Sequence, residues 1–203
     1  SIQTRNIQNL YLSHNLFDQE SGPTIRNILY DINSLQTLNL SSNPLRDEGV
    51  RFLSKGLKES KSSALKLLDL SDTSIGNLGA VKISKALLCN DKLEKLLLNN
   101  NNIGDEGGVA LFSSICENKT LLSIGLQCNE MTDLTAESIY EALLKNNTII
   151  DINIDFNDFS YRKHSHLKEL ILEHKKLVNA KISEYANRHI EVLKEDEKKM
   201  LEV

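Results

Sequence analysis

The 203-residue sequence predicts an α/β fold: a curved solenoid with parallel strands on its concave side and helices on its convex side, ending in a long C-terminal helix. Three observations predict this fold. Apolar residues recur with a period of about 28 residues. Within each period the apolar spacing changes from strand-like to helix-like. The segment from residue 162 to residue 203 contains neither glycine nor proline and is rich in good helix formers.

Six units share one register when they are aligned on the middle leucine of a short apolar segment. The aligned residues are Leu10, Leu38, Leu68, Leu96, Ile124 and Ile152. A second apolar column lies two residues farther on and comprises Leu12, Leu40, Leu70, Leu98, Leu126 and Ile154. Neighbouring residues of a strand point to opposite faces, so both columns face inward and the residue between them faces outward.

A column of asparagines follows the strands, with one threonine among them: Asn15, Asn43, Thr73, Asn101, Asn129 and Asn157. We expect these amides to turn inward and to bond the backbone where the chain leaves the strand, because buried polar groups need partners. Apolar residues ten and fourteen positions later share one helix face. One unit cannot bury its apolar side alone, so neighbouring units stack and share a core. Helices are about 10 Å wide and strands about 4.8 Å, which curves the stack.

The turns of the units also repeat. Asn90, Asn118 and Asn146 follow the helices at matching places, where we expect a left-handed residue to end each helix. Gly49, Gly79 and Gly107 mark the helix starts. The acidic pairs beside two of these glycines, residues 47–48 and 105–106, suit a helix N-terminus and are expected to lie in solvated loops.

The sequence divides into six repeats at residues 1–176 and a helical extension at residues 177–203. The extension carries an apolar stripe that includes Ile182, Tyr185, Ile190 and Leu193, and we expect this stripe to contact a partner helix or a longer coiled segment. A helix that packs back on the solenoid and a helix that frays are the alternatives. Nothing before Ile7 resembles a polar cap, so we also expect further repeats on the N-terminal side.

Composition argues against several functions. A net charge of −4 and a pI near 5.8 do not favour nucleic-acid binding. No apolar run approaches the ~20 residues that cross a bilayer. Three cysteines without metal-like spacing predict free thiols and a reducing compartment, the cytoplasm. No phosphate loop, H-E-x-x-H or G-x-S-x-G element is present. We therefore expect no catalytic residues, no cofactor, no metal and no small-molecule substrate.

The unit L-x-x-L-x-L-x-x-N-x-I-G-D-E-G, clearest at residues 93–107, resembles the ribonuclease-inhibitor-like class of leucine-rich repeats over about residues 5–176. The resemblance implies a leucine-rich-repeat solenoid, or horseshoe, that binds other proteins through its concave face or its rims. That class includes ribonuclease inhibitor, NOD-like receptor repeats, Ran GTPase-activating protein and subunits of the cytoskeleton and the ciliary axoneme.

Outward strand positions supply the candidate binding surface. Tyr11, Leu67 and Leu97 are the expected anchors, because exposed apolar clusters often mark binding sites. Two acidic residues, Asp151 and Asp155, are expected to steer a basic segment of the partner. An unused concave face that carries two leucines by chance is the alternative. The predicted set is Tyr11, Asn39, Leu67, Asp69, Lys95, Leu97, Asn99, Asp151 and Asp155.

A solenoid followed by a long helix resembles subunits of ciliary assemblies. We therefore expect a non-enzymatic scaffold that binds other proteins within a multi-subunit assembly of the cytoplasm, in the cytoskeleton or the cilium. Two alternatives remain. A GTPase-activating protein of the Ran type would use loop residues such as Arg46 and Asn102. A capping protein of the tropomodulin type would bind the end of an actin filament.

Overall fold

The computed structural model describes residues 6–60 and 64–201, with side chains in the last helix described to Ala186 and at Arg188. Six strands form one parallel sheet in chain order, so each pairs with the strand of the next repeat. They are β1 (Asn9–Tyr11), β2 (Thr37–Asn39), β3 (Leu67–Asp69), β4 (Lys95–Leu97), β5 (Ser123–Gly125) and β6 (Asp151–Asn153). The observed register pairs Leu10, Leu38, Leu68, Leu96, Ile124 and Ile152 across the sheet, as the sequence alignment predicts.

Each strand is followed by a helix, and successive helices pack against one another on one side of the sheet. The helices are α1 (Gly22–Asp31), α2 (Arg46–Glu59), α3 (Asn77–Leu87), α4 (Asp105–Glu117), α5 (Ala136–Lys145) and α6 (Tyr161–Leu201). Short 3₁₀ turns precede α1 and α5. This layer of helices over a parallel sheet confirms the predicted solenoid.

A continuous apolar core fills the space between sheet and helices. The inward strand leucines of the second, third and fourth repeats are fully buried, whereas Leu10 and Leu12 of the first repeat are only partly buried. Phe112 is the largest fully buried side chain. Leucine and isoleucine make up most of the other large side chains in the core. Every repeat therefore depends on its neighbours to cover its apolar side.

Eight residues of the described ranges lie in the left-handed region of backbone space, and none of them is glycine. Six of them, one per repeat, directly precede the asparagine column and have φ between 54° and 56°: His14, Ser42, Asp72, Asn100, Cys128 and Phe156. Arg46 and Ser74 are the other two. This conformation costs roughly 1–2 kcal/mol for a residue with a side chain. In the first five repeats a backbone bond to the next repeat holds the residue before the asparagine column in this conformation, as in the 2.8 Å bond from Asn100 N to Gln127 O.

The amides of Asn43, Asn101 and Asn129 in the asparagine column are buried and face inward, as predicted, whereas Asn15 of the first repeat is exposed. Asn101 Nδ2 donates to Leu98 O in its own repeat and to Leu70 O in the preceding repeat, at 3.1 and 2.9 Å. Asn101 Oδ1 accepts the N–H of Ile75 at 2.9 Å. Each such amide therefore bonds backbone groups that would otherwise lack partners at the bend after the strand.

The second set of asparagines differs from the prediction. Asn118 and Asn146 have extended backbones, with φ of −70° and −87°, and Asn90 is not left-handed either. Their side chains form a second buried ladder instead. Asn118 Nδ2 donates to Leu87 O and Asn90 O, and its Oδ1 accepts the N–H of Leu121 at 2.7 Å. The amide joins two neighbouring repeats, and asparagine suits this position because its side chain both donates and accepts hydrogen bonds.

Helix α6 runs for 41 residues, roughly 60 Å at 1.5 Å per residue, and confirms the predicted long C-terminal helix. Its first part replaces the convex helix of the sixth repeat, with Leu167 buried in the core. The predicted boundary between residues 176 and 177 falls inside this one continuous helix. No helix in the part of the chain that the structure describes is long and apolar enough to cross a membrane.

Candidate protein interface

Strands β3 and β4 bring four of the predicted binding residues together on the concave face. Leu67 lies opposite Lys95, and Asp69 lies opposite Leu97. The two leucines are therefore diagonal neighbours on adjacent strands. They are half-buried, and so less exposed than the sequence suggested, whereas Lys95 is exposed. We call these four residues the central patch.

Gly125 of β5 lies beside the central patch, and sequence reasoning missed its role. A Cβ atom at this position would lie 2.8 Å from Asn99 Oδ1 and 3.0 Å from Leu97 Cδ2, so both side chains lean over the glycine. Asn99 Oδ1 accepts the N–H of Gln127 at 3.0 Å in the same place. The signal in the sequence was the single glycine among the outward strand positions.

Two predicted polar residues also have structural roles. Asn39 Oδ1 accepts the N–H of Ser41, and Asp69 Oδ1 accepts the N–H of Ser71, both at 2.9 Å. Such bonds from a side chain to the backbone two residues later stabilise the bend at the end of a strand. Each side chain keeps acceptor capacity for a partner, because an amide or carboxylate oxygen accepts more than one bond.

Tyr11 lies apart from the two leucines that the sequence groups with it. It is 66% exposed on β1, at the end of the sheet, three strands from Leu97. Three strand spacings are about 14 Å. Tyr11 therefore belongs to the N-terminal edge of the sheet, and the three predicted anchors do not form one cluster.

The two acidic residues at the other end of the sheet bind the chain's own helix. Asp155 accepts from Lys168 Nζ at 2.8 Å and lies 3.1 Å from His164 Nε2. Asp151 lies 3.7 Å from Lys175 Nζ. The hydrogen bond from Lys168 outweighs burial and lowers the pKa of Asp155. The basic segment that these carboxylates contact is therefore α6, which weakens the expectation that they steer a basic partner.

Helix α6 exposes part of its predicted contact stripe. Ile182 and Tyr185 are both exposed, and so is Leu177, which lies more than one helical turn before Ile182. The side chains of Ile190 and Leu193 lie outside the described residues. The stripe therefore remains a prediction for its distal half.

An apolar groove of about 390 Å³ opens between α5 and α6 on the convex side. Tyr140, Leu143, Leu170 and Leu177 are among its lining residues. The ring of His166 meets the ring of Tyr140 edge-on at 5.9 Å. Sequence reasoning missed this groove, because the repeat alignment does not describe the space between neighbouring helices.

The acidic residues at the helix starts are not simply solvated, which corrects the prediction. Asp47 Oδ1 accepts the N–H groups of Gly76 and Gly79 at 2.7 and 2.9 Å, and so caps the helix of the next repeat. Asp105 bonds the residues before the helix of the fifth repeat, where it accepts the N–H of Thr132 at 2.8 Å and the hydroxyl groups of Thr132 and Thr135. An acceptor at a helix N-terminus satisfies otherwise unpaired N–H groups.

We expect acid to destabilise the wild type more than the variant Asp105→Asn. Burial raises the pKa of Asp105, but hydrogen bonds from Thr135 and Thr132 outweigh it and leave the pKa below 3.8. The unfolded state therefore takes up this proton first, and the stability from the carboxylate is lost as the pH falls below the unfolded pKa. Urea midpoints at about pH 6 and about pH 3 measure the loss. Equal losses in both proteins would contradict this assignment.

The loop residues considered for GTPase activation are separated. Arg46 begins α2 in the second repeat with a φ of 53°, and Asn102 lies in the fourth repeat, where its Nδ2 donates to Glu130 Oε1 at 3.0 Å. Within the described ranges, no group of three or more histidine, cysteine, aspartate and glutamate side chains could hold a metal ion.

The parallel sheet, the helix in each repeat and the asparagine ladders define a leucine-rich-repeat solenoid. A family model described as leucine-rich repeat matches residues 32–54, 61–84 and 89–112. The chain is also 34% identical to mouse ribonuclease inhibitor over 90 residues, which are 44% of this chain and 20% of the inhibitor. These two matches, over part of the chain, support a leucine-rich-repeat protein of the ribonuclease-inhibitor-like class.

Solved structures show the same fold. One is actin-binding site 2 of leiomodin-1, with a TM-score of 0.65 and 19% identity, covering 84% of this chain and 96% of that one. Another is the C-terminal domain of tropomodulin from Caenorhabditis elegans, with a TM-score of 0.59 and 16% identity, covering 81% of this chain and 98% of that one. At this level of identity the likeness concerns the fold.

Proposed function

We propose that the chain is a non-enzymatic scaffold that binds another protein through its concave face, within a multi-subunit cytoskeletal assembly in the cytoplasm. The central patch is the observation that carries this proposal. It combines two half-buried leucines with an acidic and a basic side chain on one rigid sheet. Protein interfaces combine apolar cores with polar rims in this way.

The central patch also has spare binding capacity. Lys95 is exposed and forms no ion pair within the described part of the chain. Asp69 uses one carboxylate oxygen internally and keeps the other. A partner can therefore gain apolar burial at the leucines and charge-assisted hydrogen bonds beside them, without breaking contacts of the solenoid.

Replacing the two leucines should weaken partner binding without unfolding the chain. We expect the double variant Leu67→Ala, Leu97→Ala to lose at least about tenfold in affinity, about 1.4 kcal/mol, because interface anchors lose this much on truncation. Crosslinking mass spectrometry in the native source identifies the partner, and calorimetry with that purified partner measures the affinity. Leu134→Ala, at an exposed leucine outside the concave face, is the matched control. Unchanged affinity in the double variant would exclude the central patch.

Actin is a second candidate partner, favoured by the likeness to the actin-binding site of leiomodin-1 over nearly that whole domain. If the chain caps filaments, it should slow pointed-end growth of filaments whose barbed ends are blocked, and the double leucine variant should restore growth. Growth that is unaffected at saturating chain concentration would remove actin capping and leave the scaffold proposal standing.

The crosslinking experiment also separates the remaining assignments. Neighbours from the ciliary axoneme would place the scaffold in that assembly, as its long terminal helix favours.

A Ran-type activity predicts faster GTP hydrolysis by Ran when the chain is added, and slower hydrolysis again with Arg46→Ala. We expect an unchanged hydrolysis rate, because Arg46 and Asn102 lie two repeats apart.

A further inference from the structure

Backbone hydrogen bonds between neighbouring repeats follow one pattern in the first five repeats. The N–H two residues after the middle strand residue donates to the next repeat, as Leu98 N donates to Gly125 O at 2.8 Å. The N–H of the left-handed residue two positions later donates in the same way. The carbonyl just before each strand accepts two N–H groups, as Glu94 O accepts those of Leu122 and Ser123. Each repeat therefore offers the next one the same ladder of donors and acceptors.

The sixth repeat has the same ladder without a strand to pair it. The N–H groups of Ile154 and Phe156 and the carbonyl of Ile150 have no backbone partner in the described part of the chain. The residues that follow the sixth repeat form α6 instead of a seventh strand, so this edge results from the change from strand to helix within the chain. Ile154 is only 1% exposed, and a buried N–H without a partner costs free energy.

A groove of about 490 Å³ lies beside these backbone groups, between β6 and α6. Residues 150–155 line it on the sheet side, and Ile171 and Leu172 are among the residues that line it on the helix side. Leu172 is 53% exposed. The groove therefore combines apolar side chains with backbone groups that can still form hydrogen bonds.

Two ion pairs link the walls of the groove. Lys168 pairs with Asp155 at 2.8 Å, and Lys175 pairs with Asp151 at 3.7 Å. The four side chains are between 31% and 59% exposed, and ion pairs this exposed contribute little to stability. An entering segment can therefore displace the two lysines without unfolding α6.

We propose that an extended segment of a partner protein binds in this groove and adds a seventh strand, parallel to β6. In the register of the other repeats, such a strand offers two N–H groups to Ile150 O and carbonyls to the N–H groups of Ile154 and Phe156. Backbone bonds of this kind give affinity, and contacts of alternate side chains give specificity. The segment should carry apolar residues at alternate positions, facing Leu172. Strands β2–β5 of a second copy are already paired on both sides, so the segment is one that is unpaired before it binds.

A peptide with the sequence of residues 93–100 of this chain is the probe. It contains β4, whose N–H groups at Glu94 and Lys95 both donate to Lys66 O within the solenoid. In a fluorescence anisotropy titration with the full 203-residue chain, the labelled and end-capped peptide should bind with a dissociation constant below about 1 mM. The same peptide with N-methyl groups on both amides should bind at least about tenfold more weakly, because it lacks the donors for Ile150 O.

Variants of the chain locate the binding site. Leu172→Glu places a charge in the apolar wall of the groove and should weaken peptide binding at least about tenfold. Leu144→Glu adds the same charge at an 86% exposed leucine of α5 outside this groove, and should leave the affinity unchanged. The double variant Leu67→Ala, Leu97→Ala should also bind the peptide normally, which separates this site from the central patch. Circular dichroism confirms that each variant folds.

Hydrogen exchange measured by NMR identifies the bonds themselves. The amides of Ile154 and Phe156 should exchange more slowly with the peptide bound, whereas the amide of Leu126, already bonded to Asn153 O, should not change. No saturable binding up to about 1 mM, equal binding of the N-methylated peptide, or full affinity in Leu172→Glu would each overturn the proposal. Protection of Ile154 that grows with protein concentration in the absence of peptide would assign the groove to a second copy instead of a partner.

Discussion

Asn118→Ala should destabilise the protein by about 3–4 kcal/mol, because several buried backbone groups lose their partners at once. Asn118 is buried, and its amide joins the carbonyls of Leu87 and Asn90 to the N–H groups of Thr120 and Leu121. Alanine removes these bonds and offers no replacement. Water has little access to the groups, so the full cost of burying them unpaired falls on the folded state.

Chemical denaturation with a fluorescence or circular dichroism signal measures this loss. Asn15→Ala is the matched control, because Asn15 is exposed and its Nδ2 bonds only carbonyls of its own repeat. We expect it to change the stability by less than about 0.5 kcal/mol. Similar losses in both variants would show that burial of the amide and its bonds to the neighbouring repeat do not matter, against the bonding described above.

Gly107→Ala should cost about 2–3 kcal/mol through overpacking between the third and fourth repeats. A Cβ atom at Gly107 would lie 2.8 Å from Ala80 Cβ and 2.9 Å from both Asn77 Oδ1 and Ile103 Cγ2. Contacts this short force the two repeats apart. Asn77 Oδ1 also accepts the N–H of Gly107 at 2.9 Å, so the shift weakens the cap of α4.

Gly104→Ala, three residues earlier in the same turn, separates packing from general sensitivity. A Cβ atom there would be 3.4 Å or more from its neighbours, and the backbone has a φ of −91°, which any residue adopts. We expect a change below about 0.5 kcal/mol. Thermal or urea unfolding of the two variants measures the change in the free energy of unfolding that each substitution causes. A mild effect at Gly107 would mean that the repeats can separate without loss.

Sequence periodicity predicted the repeats well because stacking imposes the same burial on every unit. Leu96 and Leu98 face the core, and Leu97 between them faces the concave side, as the alternation requires. The asparagine column was predictable for a similar reason, since a buried amide recurring at one position indicates a recurring bend. The strand alternation and the asparagine column both belong to a single repeat, so one period of the sequence is enough to predict them.

Contacts between repeats were harder to predict. Asp47 caps the helix of the next repeat rather than its own, and the left-handed residues, including Cys128 and Phe156, carry no composition signal. Asn118 was assigned to a helix end because asparagine tolerates left-handed geometry. Its real partners lie 28 and 31 residues away. A pattern within one unit does not show which groups of the neighbouring unit lie within hydrogen-bond distance.

The sequence by itself determined the architecture of this protein: the number of repeats, the register of the strands and the long final helix follow from which residues must avoid water. Only the tertiary structure decided what each surface can do. It separated Tyr11 from Leu67 and Leu97 and engaged Asp151 and Asp155 with α6. The physical reason is that burial repeats with the sequence period, whereas hydrogen bonds and ion pairs depend on distances of a few ångströms between repeats.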